Sequence, residues 1–243
     1  GDGGPDGGIV PLTLSANPPK VLVGLIPAAK ELEKLRKTLK RTTEITMADV
    51  VALAGAEAIE TAGGPRLVVQ LGKGETKSSS KPTPSNVGSL PDLSGRGNRS
   101  DVIAAFRRAG LTERDVAIFF GIRVAVEKVV ENVVNVEEEP QEVNEMGESD
   151  VSFPSSFGGP KEKYGKQIGQ LDKAIFVSIL AGAKQKDTNI PDVFYDTTVA
   201  DCAQAYAKKK TDFVKDLREA YGSWMSLGAQ YTGGGILLFD SNY

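Results

Sequence analysis

The most apolar segment of the chain follows a helix-capping motif. Thr112 and Asp115 have the spacing of a capping box, and the residues after them, 116–130, are apolar at nearly every helical position. A helix that is apolar on all sides has to be buried within other helices. This segment therefore predicts a mainly α fold that contains one buried helix.

Other segments have the patterns of surface and core helices. Residues 28–41 carry leucines at helical spacing among Lys, Glu and Arg, and Thr46 and Asp49 form a second capping box before a helix that Gly63 ends. Further helices are predicted at residues 100–109, 171–180, 198–208 and 211–227. No series of strands is visible, although residues 66–71 have the composition of a short strand, and the glycines at 233–235 are interpreted as a turn or a helix C-cap.

Two low-complexity segments interrupt the helical pattern. Residues 73–86 are rich in Lys, Ser, Thr and Pro, and residues 133–160 contain an acidic stretch with six glutamates between 136 and 149. Such segments are typical of solvated loops. We expect residues 1–243 to form a single domain with these two segments as loop insertions.

Composition excludes several classes of function. The formal net charge is -3, and Lys and Arg are scattered along the chain, so no nucleic-acid partner is expected. The single cysteine, Cys202, excludes an intrachain disulfide framework and is interpreted as a small hydrophobe on a helix. No apolar run reaches the roughly 20 residues of a membrane span. No transmembrane segment is predicted.

The chain contains no histidine among its 243 residues. Histidine is the side chain that most often transfers protons near neutral pH and the commonest protein ligand of transition metals. No metal site and no acid-base pair is predicted from the remaining residue types.

The order of several motifs resembles one enzyme family. The segment at 45–65 reads ITMADVVALAGAEAIETAGGP, residues 90–92 read LPD, and residues 101–117 read DVIAAFRRAGLTERDVA. Together with the YAK at 206–208 and the DFVKD at 212–216, these resemble ascorbate peroxidases and cytochrome c peroxidase. The resemblance covers most of the chain from about residue 3 to residue 228 and implies the helical fold of plant-type haem peroxidases.

The resemblance also places the family's functional positions. The iron-ligating histidine falls at Arg123, and the tryptophan beside it falls at Tyr164. The carboxylate that holds that histidine falls best at Asp192, and the arginine that contacts ascorbate falls near Asn132. Because a guanidinium offers iron no lone pair, these are interpreted as degenerate haem-site positions. No catalytic residue and no bound cofactor is predicted.

Two readings of Arg123 are open. It is either a helical arginine that extends to solvent, or a buried arginine that fills part of the former haem volume, with Asp192 as its partner, and the second is favoured. The resemblance further implies that the chain lacks the family's distal helices. The apolar faces around Val50, Leu53, Phe119 and Phe120 are therefore expected to need cover from another subunit, an upstream segment or the chain's own ends.

The function implied is that of a peroxidase-like pseudoenzyme. Histidine-poor relatives without haem ligation resemble proteins of the chloroplast thylakoid lumen that are associated with photosystems. We therefore expect a structural or docking subunit of a photosynthetic complex, peripheral to the membrane. The alternatives are a regulatory module that binds a small ligand in the vacated haem cavity, and an enzyme with unrecognised chemistry.

Overall fold

A computed structural model describes residues 7–74, 93, 97–137, 171–229 and 231–237, and the side chains of these except 21, 131–137 and 232–237. The described part is mainly α-helical, as predicted. Its helices are Ile9–Thr13 (α1), Ile26–Leu39 (α2), Met47–Thr61 (α3), Arg99–Arg108 (α4), Glu113–Glu137 (α5), Lys173–Lys184 (α6), Thr197–Lys208 (α7) and Lys210–Ser226 (α8). Short 3-10 helices span Lys20–Leu25 and Asp192–Tyr195.

Helix α5 lies within the main hydrophobic core, and its burial was predicted from the sequence. The carboxylate of Asp115 accepts a hydrogen bond from the Thr112 backbone N–H at 2.9 Å, which is one of the two bonds of the predicted capping box. Val116 and Phe120 are fully buried. The helices α3, α4, α6, α7 and α8 all contact α5, so this helix connects most of the other elements.

A second, smaller core lies where α1, α2 and α3 meet. Its buried members are Val10, Ala29, Ile45, Met47 and Val50. The expectation of open apolar faces is wrong at two of its four positions: Val50 is 1% exposed and Phe120 is 0% exposed. The N-terminal residues that form α1 and the following 3-10 helix pack on α2, so part of the cover comes from the chain itself.

A two-stranded antiparallel sheet joins distant parts of the chain. Strand β1, Gln70–Lys73, pairs with strand β2, Tyr231–Leu237, in a register that places Leu71 opposite Ile236 and Lys73 opposite Tyr231. Two predictions are wrong here. The glycines at 233–235 lie in a strand and not in a turn, and Lys73, expected to begin an exposed loop, is buried.

Most of the two predicted insertions lies outside the described residues. Residues 133–137 belong to α5, so the second insertion begins later than expected, and the acidic stretch from 138 onward is not described. Residues 75–86 are likewise not described, and the single-domain organisation stays a prediction. Within the described ranges, no helix combines the length and the apolar character that crossing a membrane requires.

Candidate functional site

Arg123 lies in the middle of α5, one turn before Glu127. Its Nε and Nη2 atoms donate hydrogen bonds to the Glu127 carboxylate at 2.8 and 2.5 Å. Its Nη1 atom donates to the backbone carbonyl oxygen of Leu93. The guanidinium thus connects α5 to a residue of the preceding connection, with its charge met by a carboxylate on the same helix.

Arg123 is neither fully solvated nor fully buried, so its exposure lies between the two interpretations drawn from the sequence. Its side chain is 28% exposed and that of Glu127 is 50% exposed, so the pair lies at the edge of the core. The predicted partner, Asp192, is wrong, because the carboxylate that pairs with Arg123 is Glu127. Asp192 is half-buried and begins the 3-10 helix Asp192–Tyr195.

Two further sequence-predicted positions receive no side-chain description. Asn132 lies on α5, nine residues after Arg123, but only its backbone is described. Tyr164 lies outside the described residues. The structure therefore places Arg123 and Asp192 and leaves the proposed roles of Asn132 and Tyr164 as predictions.

The residues around Arg123 do not fit ligation of a haem iron. A guanidinium stays protonated in proteins and has no lone pair to donate, and all three hydrogen-bonded nitrogens of Arg123 already point at oxygen atoms. Across the described ranges, no group of three or more His, Cys, Asp or Glu side chains could hold a metal ion. The arrangement supports structural anchoring of α5 rather than iron chemistry.

The side of α5 near Arg123 is filled by aromatic rings. The rings of Phe119 and Phe106 meet edge to face with centroids 5.6 Å apart, and those of Phe119 and Trp224 at 6.1 Å. Such contacts add stabilisation beyond the area they bury. The Trp224 Nε1 atom donates to Asp115 at 3.0 Å, so this tryptophan belongs to the core and to the cap of α5.

A buried ion pair joins α3 to β1. Asp49 and Lys73 are each about 1% exposed, and the Lys73 Nζ atom lies 3.5 Å from the Asp49 carboxylate and 2.6 Å from the Gln70 carbonyl oxygen. The same carboxylate accepts hydrogen bonds from the backbone N–H groups of Gly72 and Lys73 at 3.0 and 3.3 Å. Desolvation by burial lowers the pKa of Lys73, and Asp49 opposes that shift. With no exposed surface, the pair is placed to hold the strand and not to meet a substrate.

A second polar cluster lies between α5, α7 and α8. Tyr206 donates its hydroxyl to Asp216 at 2.9 Å, and Arg114 lies 3.5 Å from Asp216 and 3.5 Å from Glu219. Burial raises the pKa of the neighbouring Cys202 thiol, and nearby carboxylates add to the shift. A thiol with a raised pKa is a poor nucleophile at neutral pH.

Sequence reasoning missed Glu127 and Lys73. The four-residue spacing of Arg123 and Glu127 is a helical pairing signal, so this contact was predictable from the sequence. Lys73 has no such signal, because its partner is 24 residues away and belongs to another element.

Comparisons with known proteins point to one family. A family model described as Peroxidase matches residues 3–209. Probable L-ascorbate peroxidase 8, chloroplastic, of Oryza sativa subsp. japonica is 27% identical over 224 residues, which is 86% of this chain and 41% of the rice protein. Probable L-ascorbate peroxidase 7, chloroplastic, of the same organism is 25% identical over 224 residues, 86% of this chain and 55% of its own length. The chain spans about half the length of the curated relatives it matches.

Proposed function

This chain belongs to the peroxidase family, and we propose that it acts as a non-catalytic structural subunit of a larger complex at a photosynthetic membrane. One observation carries the proposal. The position where the family resemblance implies an iron-ligating histidine holds Arg123, whose guanidinium is engaged by Glu127 and Leu93, and the chain has no histidine elsewhere.

The other reactive groups of the described residues support the same proposal. Cys202 has a raised pKa, and Lys73 is enclosed by Asp49 and the sheet. The Cys202 thiol lacks the lowered pKa that would activate it as a nucleophile. The Lys73 ammonium lacks the exposure that it would need to reach a substrate. A fold can outlive its chemistry, and such a scaffold retains its contacts.

The chloroplast is the compartment that fits the relatives. Both rice proteins are described by name as chloroplastic. We extend this to the thylakoid lumen and to a photosystem as the partner, because the histidine-poor members that this chain resembles are of that kind. The association is peripheral.

Native electrophoresis of solubilised photosynthetic membranes tests the proposal. The chain is expected to co-migrate with a membrane protein complex, and the complex isolated through a tag on this chain should contain photosystem subunits. Migration of all of the chain as a free monomer, in gently solubilised membranes and in the soluble fraction alike, would contradict a subunit role.

A further inference from the structure

Four cations lie along one side of helix α2 and of the turn that follows it. Lys30, Lys34 and Lys37 have the spacing of a single helical face, Arg41 lies in the turn after the helix, and all four are exposed. They line one continuous stretch of surface together with Glu33 and Thr38. We call these four residues the basic face. The earlier interpretation that Lys and Arg are merely scattered is wrong for this helix.

The basic face points away from the core. Ala29 is buried, and Leu32 and Leu39 pack against the smaller core, on the opposite side of the helix. From Lys34 to Arg41 there are five cations and no acidic residue. A chain with a net charge of -3 therefore concentrates positive charge on the second half of α2 and the turn that follows it.

Local pairing neutralises only part of this charge. Lys37 lies 3.2 Å from Glu33, and Lys34 lies 3.8 Å from Glu31, with both lysine side chains more than 70% exposed. Exposed ion pairs of this kind contribute little to the free energy of folding. Cations in the last turn also favour the helix dipole, but that effect fades within one turn and does not account for Lys30 and Lys34.

Exposed aliphatic side chains lie on α1 and on the 3-10 helix, the two elements that pack on α2. Val23 is 50% exposed and Leu25 is 44% exposed, and Ile9 on α1 is 48% exposed. Helix α1, the 3-10 helix Lys20–Leu25 and α2 contact one another, so these side chains belong to one packed unit. Lysines and arginines combined with protruding aliphatic residues are typical of surfaces that lie on anionic membranes.

We propose that the unit formed by α1, the 3-10 helix and α2 binds an anionic lipid membrane through the basic face and the exposed aliphatic residues of α1 and the 3-10 helix. A lipid membrane fits better than nucleic acid or an acidic protein. Aliphatic residues that protrude from two separate elements can all be buried in the apolar part of a bilayer, whereas a folded partner would need a matching pocket for each of them. The inference rests on the peripheral membrane role proposed above and names the surface that performs it.

Vesicle binding of the full chain tests this inference. Co-sedimentation is measured with phosphatidylcholine vesicles, with and without phosphatidylglycerol, over a series of salt concentrations. The test variant is Lys34→Gln, Lys37→Gln, Arg41→Gln. The matched control is Lys208→Gln, Lys209→Gln, Lys215→Gln, which removes the same charge from exposed positions, two of which also have helical acidic neighbours.

Binding is expected only to vesicles with phosphatidylglycerol, and it should weaken as salt screens the charges. The test variant should bind roughly 100-fold more weakly, from three cations at a negatively charged surface, while the control changes by less than about 3-fold. Equal losses in both variants, or no binding of the wild type to the anionic vesicles, would overturn the inference. Binding to soluble polyglutamate that depends on α2, without vesicle binding, would overturn it in favour of an acidic protein. The vesicles contain no protein, so a failure to bind them can be distinguished from a failure to co-migrate with a membrane protein complex.

Discussion

At the scale of single residues, the pair of Asp49 and Lys73 costs desolvation that only its own contacts offset. Asp49 has three donors around it, the Lys73 ammonium and two backbone N–H groups, whereas the Lys73 ammonium has Asp49 and one carbonyl oxygen. Removing one partner of a buried pair leaves the other charge uncompensated. The two partners are therefore not equivalent.

Asp49→Ala is expected to lower the free energy of unfolding by about 3–5 kcal/mol, because it leaves the buried ammonium without a counter-charge and two backbone N–H groups without their acceptor. Lys73→Met should cost less, about 1–3 kcal/mol, since the carboxylate keeps its two backbone donors. Urea unfolding of both variants and of the double variant measures this order. The double variant should be more stable than the sum of the single losses predicts, and equal losses from the two single variants would contradict the account.

The buried tyrosine hydroxyls are expected to make the protein less stable at alkaline pH. Burial raises the pKa of Tyr206 and of Tyr221 well above the usual value of about 10. A group whose pKa is raised by folding stabilises the fold fully below its unfolded pKa, and this contribution declines as pH rises above about 10. Tyr221→Phe should therefore show a shallower loss of stability than the wild type between about pH 10 and 11, measured by urea unfolding. Parallel curves for the two proteins would contradict this, and Lys73, common to both, cancels in the comparison.

At the scale of elements, the sequence predicted those features whose partners are near in the chain. At Thr112 one bond of the predicted capping box forms, from the Thr112 N–H to the Asp115 carboxylate. At Thr46 only half of the predicted box forms: Thr46 accepts from the Asp49 N–H at 3.1 Å, but the Asp49 carboxylate turns to β1. The sheet itself was not predictable, because β1 and β2 are far apart in sequence and the glycines at 233–235 are poor strand formers.

The cap of α5 makes a prediction at this scale. The Asp115 carboxylate accepts from the Thr112 N–H and hydroxyl and from Trp224. Asp115→Ala should cost about 2–3 kcal/mol, the cap plus the buried hydrogen bond to the indole. Thr112→Ala should cost about 1 kcal/mol, because the Asp115–Trp224 bond remains. Thermal and urea unfolding measure both, and an equal loss would show that the indole contact contributes nothing.

Two helical glycines distinguish packing from helix propensity. A Cβ atom at Gly121 on α5 would lie 2.8 Å from the ring of Phe176, whereas a Cβ atom at Gly222 on α8 would meet nothing within 4 Å. Gly222→Ala should stabilise the protein by about 1 kcal/mol. Gly121→Ala should destabilise it by about 1–3 kcal/mol through overpacking. Urea unfolding of the pair tests the packing of α5 against α6, and a stabilising Gly121→Ala would contradict it.

At the scale of the whole molecule, the chain has the mainly helical fold expected of the peroxidase family, and Arg123, which the family resemblance aligns with the iron ligand, is engaged by Glu127 and Leu93. The family order of helices was predictable from local motifs such as the one at 45–65, since helices depend on local spacing. The environment of Arg123 was predictable only in part: the sequence indicates that iron cannot be ligated there, but the choice of Glu127 over Asp192 depends on where the elements pack. The cover of Val50 by the smaller core likewise required the tertiary structure.

The haem content of the protein purified from its native source tests the central claim most directly. The Soret absorbance and the pyridine haemochrome assay give the ratio of haem to chain, and turnover of hydrogen peroxide with ascorbate is followed on the same sample. The account predicts far less than one haem per chain and no turnover above a haem-free control, because Arg123 cannot ligate iron. One haem per chain with a shifted Soret band and peroxide turnover would contradict it.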